Sequence, residues 1–112
     1  MAATLKSQPL ILTYDDYLRF PNDGKRYEIF EGEVEMNPAP LVIHQRISRK
    51  LEFILLTYIE KNNLGEIFDA PVDVILSRTN VVQPDLVFVA KERSSIIAER
   101  GIFGAPDLVV EI

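Results

Sequence analysis

Apolar residues recur at intervals of three and four through the middle of the chain, where Ile43, Ile47, Leu51, Ile54, Leu55, Tyr58 and Ile59 form one stripe. Gln45, Arg46, Arg49, Lys50, Glu52, Glu60 and Lys61 lie off it. The period predicts an amphipathic helix from about Val42 to Asn62 that covers a sheet. Asn62, Asn63 and Gly65 supply the left-handed residues that end it. Earlier, Thr13 with an acid three residues on reads as a helix N-cap, with Tyr14, Tyr17 and Leu18 sharing a face and Pro21 closing the segment. Met1 to Pro9 carries no periodic signal and is expected to fray.

Alternation by two marks the strands. Tyr27 to Met36 predicts two short strands around Glu31-Gly32, a hairpin with Tyr27 and Ile29 on one face and Glu28 on the other. Glu66 to Ser77 reads as a strand bent at Pro71, with Val72, Val74 and Leu76 alternating against Asp73 and Ile75. The short polar connection Ser77 to Asn80 then predicts an antiparallel hairpin with the run Val82 to Val89. A short helix ending at Gly101 is expected within Lys91 to Gly101, and Gly104-Ala105-Pro106 turns the chain into a last strand, Asp107 to Ile112. The two closing runs share a Pro-Asp-Leu-Val step, and their apolar content predicts strands buried on both faces.

Length, at 112 residues, leaves room for one domain spanning the whole chain. A hydrophobic fraction of 47% and a charged fraction of 26% are those of a globular protein, which excludes wholesale disorder. No apolar run approaches the roughly 20 residues that span a bilayer, and no signal-peptide pattern opens the chain. The expectation is a cytoplasmic protein with no membrane partner. The sequence has no cysteine, so disulfides and thiolate metal sites are excluded. A net charge of -5 opposes phosphate binding if spread evenly, although a bound cation reverses the sign locally.

The chemistry that needs explaining is the acid at the mouth of each buried run, since a buried carboxylate is costly unless paired or metal-bound. Asp107 and Glu111 lie four residues apart on one strand, roughly 13 Å at the usual rise, too far to share an ion. If the two runs are antiparallel neighbours, Asp85 faces Glu111 with Cβ atoms about 4.5 to 5.5 Å apart, which suits a shared divalent ion. Against this stands the reading of Asp85 and Asp107 as strand-entry residues accepting local backbone hydrogen bonds. Glu28 and the other hairpin glutamates are either a solvated face or an acidic wall of a site. His44 is either a boundary histidine or a group that moves a proton or contacts phosphate. Arg46, Arg49 and Lys50 are either a solvated face or a nucleic-acid contact.

Five motifs in order, Tyr27-Glu28-Ile29-Phe30-Glu31-Gly32-Glu33, His44-Gln45-Arg46-Ile47, Pro71-Val72-Asp73-Val74, Gln83-Pro84-Asp85-Leu86 and Gly104-Ala105-Pro106-Asp107-Leu108-Val109-Val110-Glu111, resemble the Uma2 family. This family, formerly DUF820, is numerous in cyanobacteria and is assigned to the PD-(D/E)XK, or restriction-endonuclease-like, superfamily. The resemblance implies an α/β (α+β) fold with a long helix packed on a mixed central sheet, and a metal-dependent endonuclease acting on DNA. It assigns Asp85 and Glu111 as the catalytic carboxylates that hold Mg (or Mn), with a Lys placed two residues after Glu111. The sequence ends at Ile112, so the expectation is the N-terminal part of a family domain, whose last strand becomes a sheet edge and favours a homo-oligomer. A nuclease-like interaction module without activity is the alternative reading.

Overall fold

The computed structural model describes residues 10–112, and the expectation for Met1 to Pro9 lies outside them. Helix α1, Tyr14–Tyr17, is capped as its sequence predicts, with the Thr13 N–H donating to Asp16 Oδ2 at 2.9 Å. Tyr14, Tyr17 and Phe20 turn inward, whereas Leu18, expected on the same face, is exposed. A four-residue helix is too short to bury a continuous stripe, and the chain beyond it carries Phe20 inward instead.

Strands β1, Arg26–Phe30, and β2, Glu33–Asn37, form the expected hairpin in register from Arg26–Asn37 to Phe30–Glu33. Its two turn residues, Glu31 and Gly32, have φ of 49° and 80°, the pair of positive values that a tight turn matched to strand twist requires. Helix α2, Val42–Lys61, comes next and packs on β3, Gly65–Asp69.

Only part of the predicted α2 stripe faces inward. Ile59 is buried and Leu51 and Leu55 are half-buried, while Ile43, Ile47, Ile54 and Tyr58 are exposed. The helix is apolar on two adjoining faces, and the one that meets β3 is the row shared by His44, Ser48, Leu51, Leu55 and Ile59.

The expected strand from Glu66 to Ser77 is two strands in different sheets. β4, Val74–Ser77, pairs with β5, Asn80–Val82, in the expected antiparallel turn, but the chain then changes sheets, and β6, Leu86–Ala90, pairs with β3. Proline explains both breaks, because it offers no N–H to a ladder. Pro71 separates β3 from β4, and Pro84 separates β5 from β6. The Ala70 N–H donates to the Asp85 carbonyl at 3.0 Å, tying the two crossing points together.

A 3-10 helix, Lys91–Ile96, stands where a helix to Gly101 was expected. After it come β7, Ile102–Phe103, and β8, Leu108–Val110. The result is a mixed α+β fold whose strands divide into a five-stranded sheet, β2-β1-β5-β4-β7, and a three-stranded sheet, β3-β6-β8. β4 and β7 run parallel and the other pairs antiparallel.

Val74 and Ile102 from one sheet pack with Val87 and Val89 from the other. On the opposite face, Ile29, Ile75 and Val81 pack against Leu12, Tyr14, Tyr17 and Phe20. Val74 and Ile75 are both buried because consecutive strand residues face opposite cores; Leu76, expected inside, is exposed. β6 is buried on both faces as predicted, with Leu86 and Val87 each 1% exposed, but β8 has one neighbour and its Leu108 and Val109 are exposed.

Candidate active site

Asp85 lies between Pro84 and the start of β6, and it is the one buried charged residue among those described, 6% exposed. The β6–β8 ladder pairs Leu86 with Val110, Val87 with Val109 and Phe88 with Leu108. Asp85 and Glu111 are the next residues beyond the last pair and line one cleft, and the Ile112 N–H donates to Asp85 Oδ2 at 2.7 Å at that end.

Two further elements bring polar groups to the same point. His44, in the first turn of α2, sets Nε2 3.2 Å from Asp85 Oδ1, and its Nδ1 lies 3.0 Å from Gln45 Oε1. The contact with Asp85 is attractive when Nε2 carries a proton. Glu28, the middle residue of β1, accepts the Gln83 N–H at 2.6 Å and the Asn37 side-chain amide at 2.9 Å. Arg26, Glu28, Asn37, His44, Asp85 and Glu111 line one cleft of about 410 Å³.

The cleft is acidic. Partial burial holds the Glu111 carboxyl above its ordinary value, and the Asp85 and Glu28 charges push it the same way, against the pull of Arg26 and His44. Glu31, Glu33 and Glu35 of the hairpin are exposed. Arg46, Arg49 and Lys50 are exposed as well, and Arg49 and Lys50 border a separate groove with Phe53 and Ile54. They do not line the acidic cleft. Asp107 occupies the strand-entry position, its Oδ2 accepting the Ala90 N–H at 2.7 Å and lying 3.3 Å from Arg93 Nη1.

Two contributors were given no role from the sequence, Arg26 and Gln83. For Arg26 the signal was present, since it is two residues from Glu28 and so shares its face of β1, whereas Gln83 lies in the crossing between β5 and β6, where no strand parity applies.

Among the described residues no group of three or more His, Asp or Glu side chains is placed so that it could hold a metal ion. The donor set nevertheless fits a hard cation, because all but His44 are carboxylates and one of them, Asp85, is buried with no Lys or Arg paired to it.

A long helix thus delivers from its first turn a histidine to the buried carboxylate that precedes β6. Residues 14–112 match the model of the Uma2 family, described as "Putative restriction endonuclease", and the chain belongs to that family. A crystal structure of "a putative nuclease belonging to DUF820" from Anabaena variabilis ATCC 29413 has the same fold, with a TM-score of 0.72 at 19% identity over 89% of this chain and 57% of that one. This chain thus spans little more than half of that protein. No curated protein matches it. No helix among the described residues is long and apolar enough to cross a membrane.

Proposed function

We propose that the chain carries the metal-binding half of an endonuclease site that hydrolyses DNA phosphodiester bonds, with Asp85 and Glu111 as the pair that shares Mg or Mn. The observation that supports this reading is that the buried Asp85 and Glu111 flank the end of the β6–β8 ladder and line one cleft. A bound divalent ion would supply Lewis-acid activation of the scissile phosphate and of the attacking water. Asp85 and Glu111 hold and orient that charge, Glu28 completes the acidic wall, and His44 stands where it can accept or return a proton beside Asp85. DNA as substrate and a chain without cysteine fit the cytoplasm.

Plasmid nicking tests the reading. Mn-dependent conversion of supercoiled to open-circular DNA, lost in Asp85→Ala, supports it, and cleavage that persists in Asp85→Ala overturns it.

Two observations favour a second reading, a nuclease-like module that associates with itself and does not cleave. Both Asp85 oxygens already have protein partners, the Ile112 N–H and His44. β8 also leaves an apolar edge open. Metal binding without nicking, together with dimer formation, would distinguish it.

A further inference from the structure

Arg26 is half-buried in a cleft that holds three carboxylates, yet among the described residues it makes no ion pair. A guanidinium beside carboxylates ordinarily takes one of them in a two-pronged bond. Two of the three acids are engaged elsewhere, and Glu111 feels the Arg26 charge without forming an ion pair with it. Glu28 is held by the Gln83 N–H and Asn37, and Asp85 by the Ile112 N–H and His44. Arg26 donates instead to neutral oxygens of one residue: Nη2 to the Gln83 carbonyl at 2.7 Å and Nε to Gln83 Oε1 at 3.3 Å.

The Gln83 amide is locked in that orientation from behind. Its Nε2 donates to Asp73 Oδ1 at 2.8 Å and to the Tyr17 hydroxyl at 2.9 Å, and the same hydroxyl donates to Asp73 Oδ1 at 2.6 Å. A carboxylate only accepts, so Asp73 fixes which end of the amide is the donor and leaves Oε1 for Arg26. Burial and the Asp73 charge push the Tyr17 hydroxyl well above its ordinary value, which keeps it a donor. Two of the five guanidinium N–H groups are thereby used on neutral acceptors, and the rest make no hydrogen bond among the described residues, so the charge acts on Glu111 only through space.

We infer that Arg26 is a phosphate-binding residue of the acidic cleft, contacting a non-bridging oxygen of a phosphodiester, and that Gln83 is the positioning residue that keeps its guanidinium off the neighbouring carboxylates. This rests on the nuclease reading for the identity of the anion, but not on the metal pair. It supplies the cationic contact that an acidic cleft needs to admit a polyanion, at a place where the exposed Arg46, Arg49 and Lys50 do not reach.

The test is duplex binding by the whole chain, read as fluorescence anisotropy of a labelled double-stranded oligonucleotide over a range of salt with Ca in place of Mg, beside Mn calorimetry. Losing one phosphate contact lowers the slope of log K against log salt by about 0.9. Arg26→Gln is expected to lower it by that amount and to weaken binding on the order of tenfold, as the loss of a hydrogen bond to a charged group does. Arg26→Lys keeps the charge and restores the slope. Gln83→Met, which preserves bulk, lowers the slope as Arg26→Gln does because the guanidinium falls onto a carboxylate, whereas a purely structural role would lower the melting temperature and leave the slope alone. An unchanged slope in Arg26→Gln, with duplex still bound, overturns the assignment and leaves the nuclease reading standing. Absence of duplex binding by the wild-type chain overturns both, and loss of Mn binding in Asp85→Ala with an Arg26-dependent slope supports the two independently.

Discussion

Asp85 and Glu111 follow directly on the Leu86–Val110 pair and line one cleft, so a buried carboxylate and one at the cleft mouth meet at the end of the β6–β8 ladder. Their separation along the chain is irrelevant to their proximity. It is the antiparallel run of β6 and β8 that brings them together, and the Asp85 charge raises the Glu111 carboxyl against the pull of Arg26 and His44.

Glu111→Gln is therefore expected to stabilise the metal-free protein at neutral pH. The folded-state carboxyl of Glu111 lies above its unfolded value, so its contribution is fully present below the unfolded value and is lost as pH rises through the folded one. Removing the charge removes that loss. Thermal melts of wild type and variant should converge in acid and separate toward neutrality, with the variant higher. Added Mn should raise the wild-type melt and not the variant's.

Asp107 has the opposite sign. The Ala90 N–H and then Arg93 hold its carboxyl below the ordinary value, so its stabilisation is present above the unfolded value and fades as pH falls through the folded one. Asp107→Asn should lower the urea midpoint near neutrality, and the two proteins should become alike below about pH 3, under the usual carboxylate range.

His44→Ala is expected to reduce nicking by about 10²- to 10⁴-fold while leaving Mn affinity little changed, the split expected of a group that moves a proton and does not bind the ion. Single-turnover nicking beside Mn calorimetry reads it. A parallel loss of Mn binding would make His44 a ligand instead.

Gly32→Ala should cost about 1 to 3 kcal/mol of stability in urea unfolding. Gly32 sits at φ 80°, and a Cβ there would come within 2.6 Å of Ile11 Cγ2. The Glu31-Gly32 pair is one of the most legible features of the sequence, because the demand is local: two residues at positive φ between two alternating runs.

Val109→Lys should abolish any self-association seen by sedimentation equilibrium, since a charge on an open edge strand opposes strand addition. Val109 is 45% exposed on β8, which is paired on one side only, by β6. A wild-type chain that stays monomeric at high concentration would remove the edge as an interface.

The sequence disclosed α2, the hairpin and the antiparallel pairing of the two closing strands because each rests on a repeat or an alternation within its own span. It hid the division into two sheets, since Pro71 and Pro84 look like bends in continuous strands until their lost N–H groups are assigned to a crossing. The inward row of α2 was equally hidden. Apolar residues on two adjoining faces leave the period intact, and only contact with β3 selects Leu51, Leu55 and Ile59 over Ile43, Ile47 and Ile54. Arg26 and Gln83 were given no role because an arginine and a glutamine carry no chemistry that a motif alone reveals. Arg26 takes its place by strand parity with Glu28, and Gln83 by its N–H, which donates to Glu28 from the crossing between β5 and β6.

The central claim, that Asp85 and Glu111 share one divalent ion, is tested most directly by Mn titration calorimetry on the wild-type chain and on Asp85→Ala and Glu111→Gln separately. The expected result is a single site in the wild type that either substitution abolishes. Retention of wild-type affinity in one of the two variants would contradict the shared site.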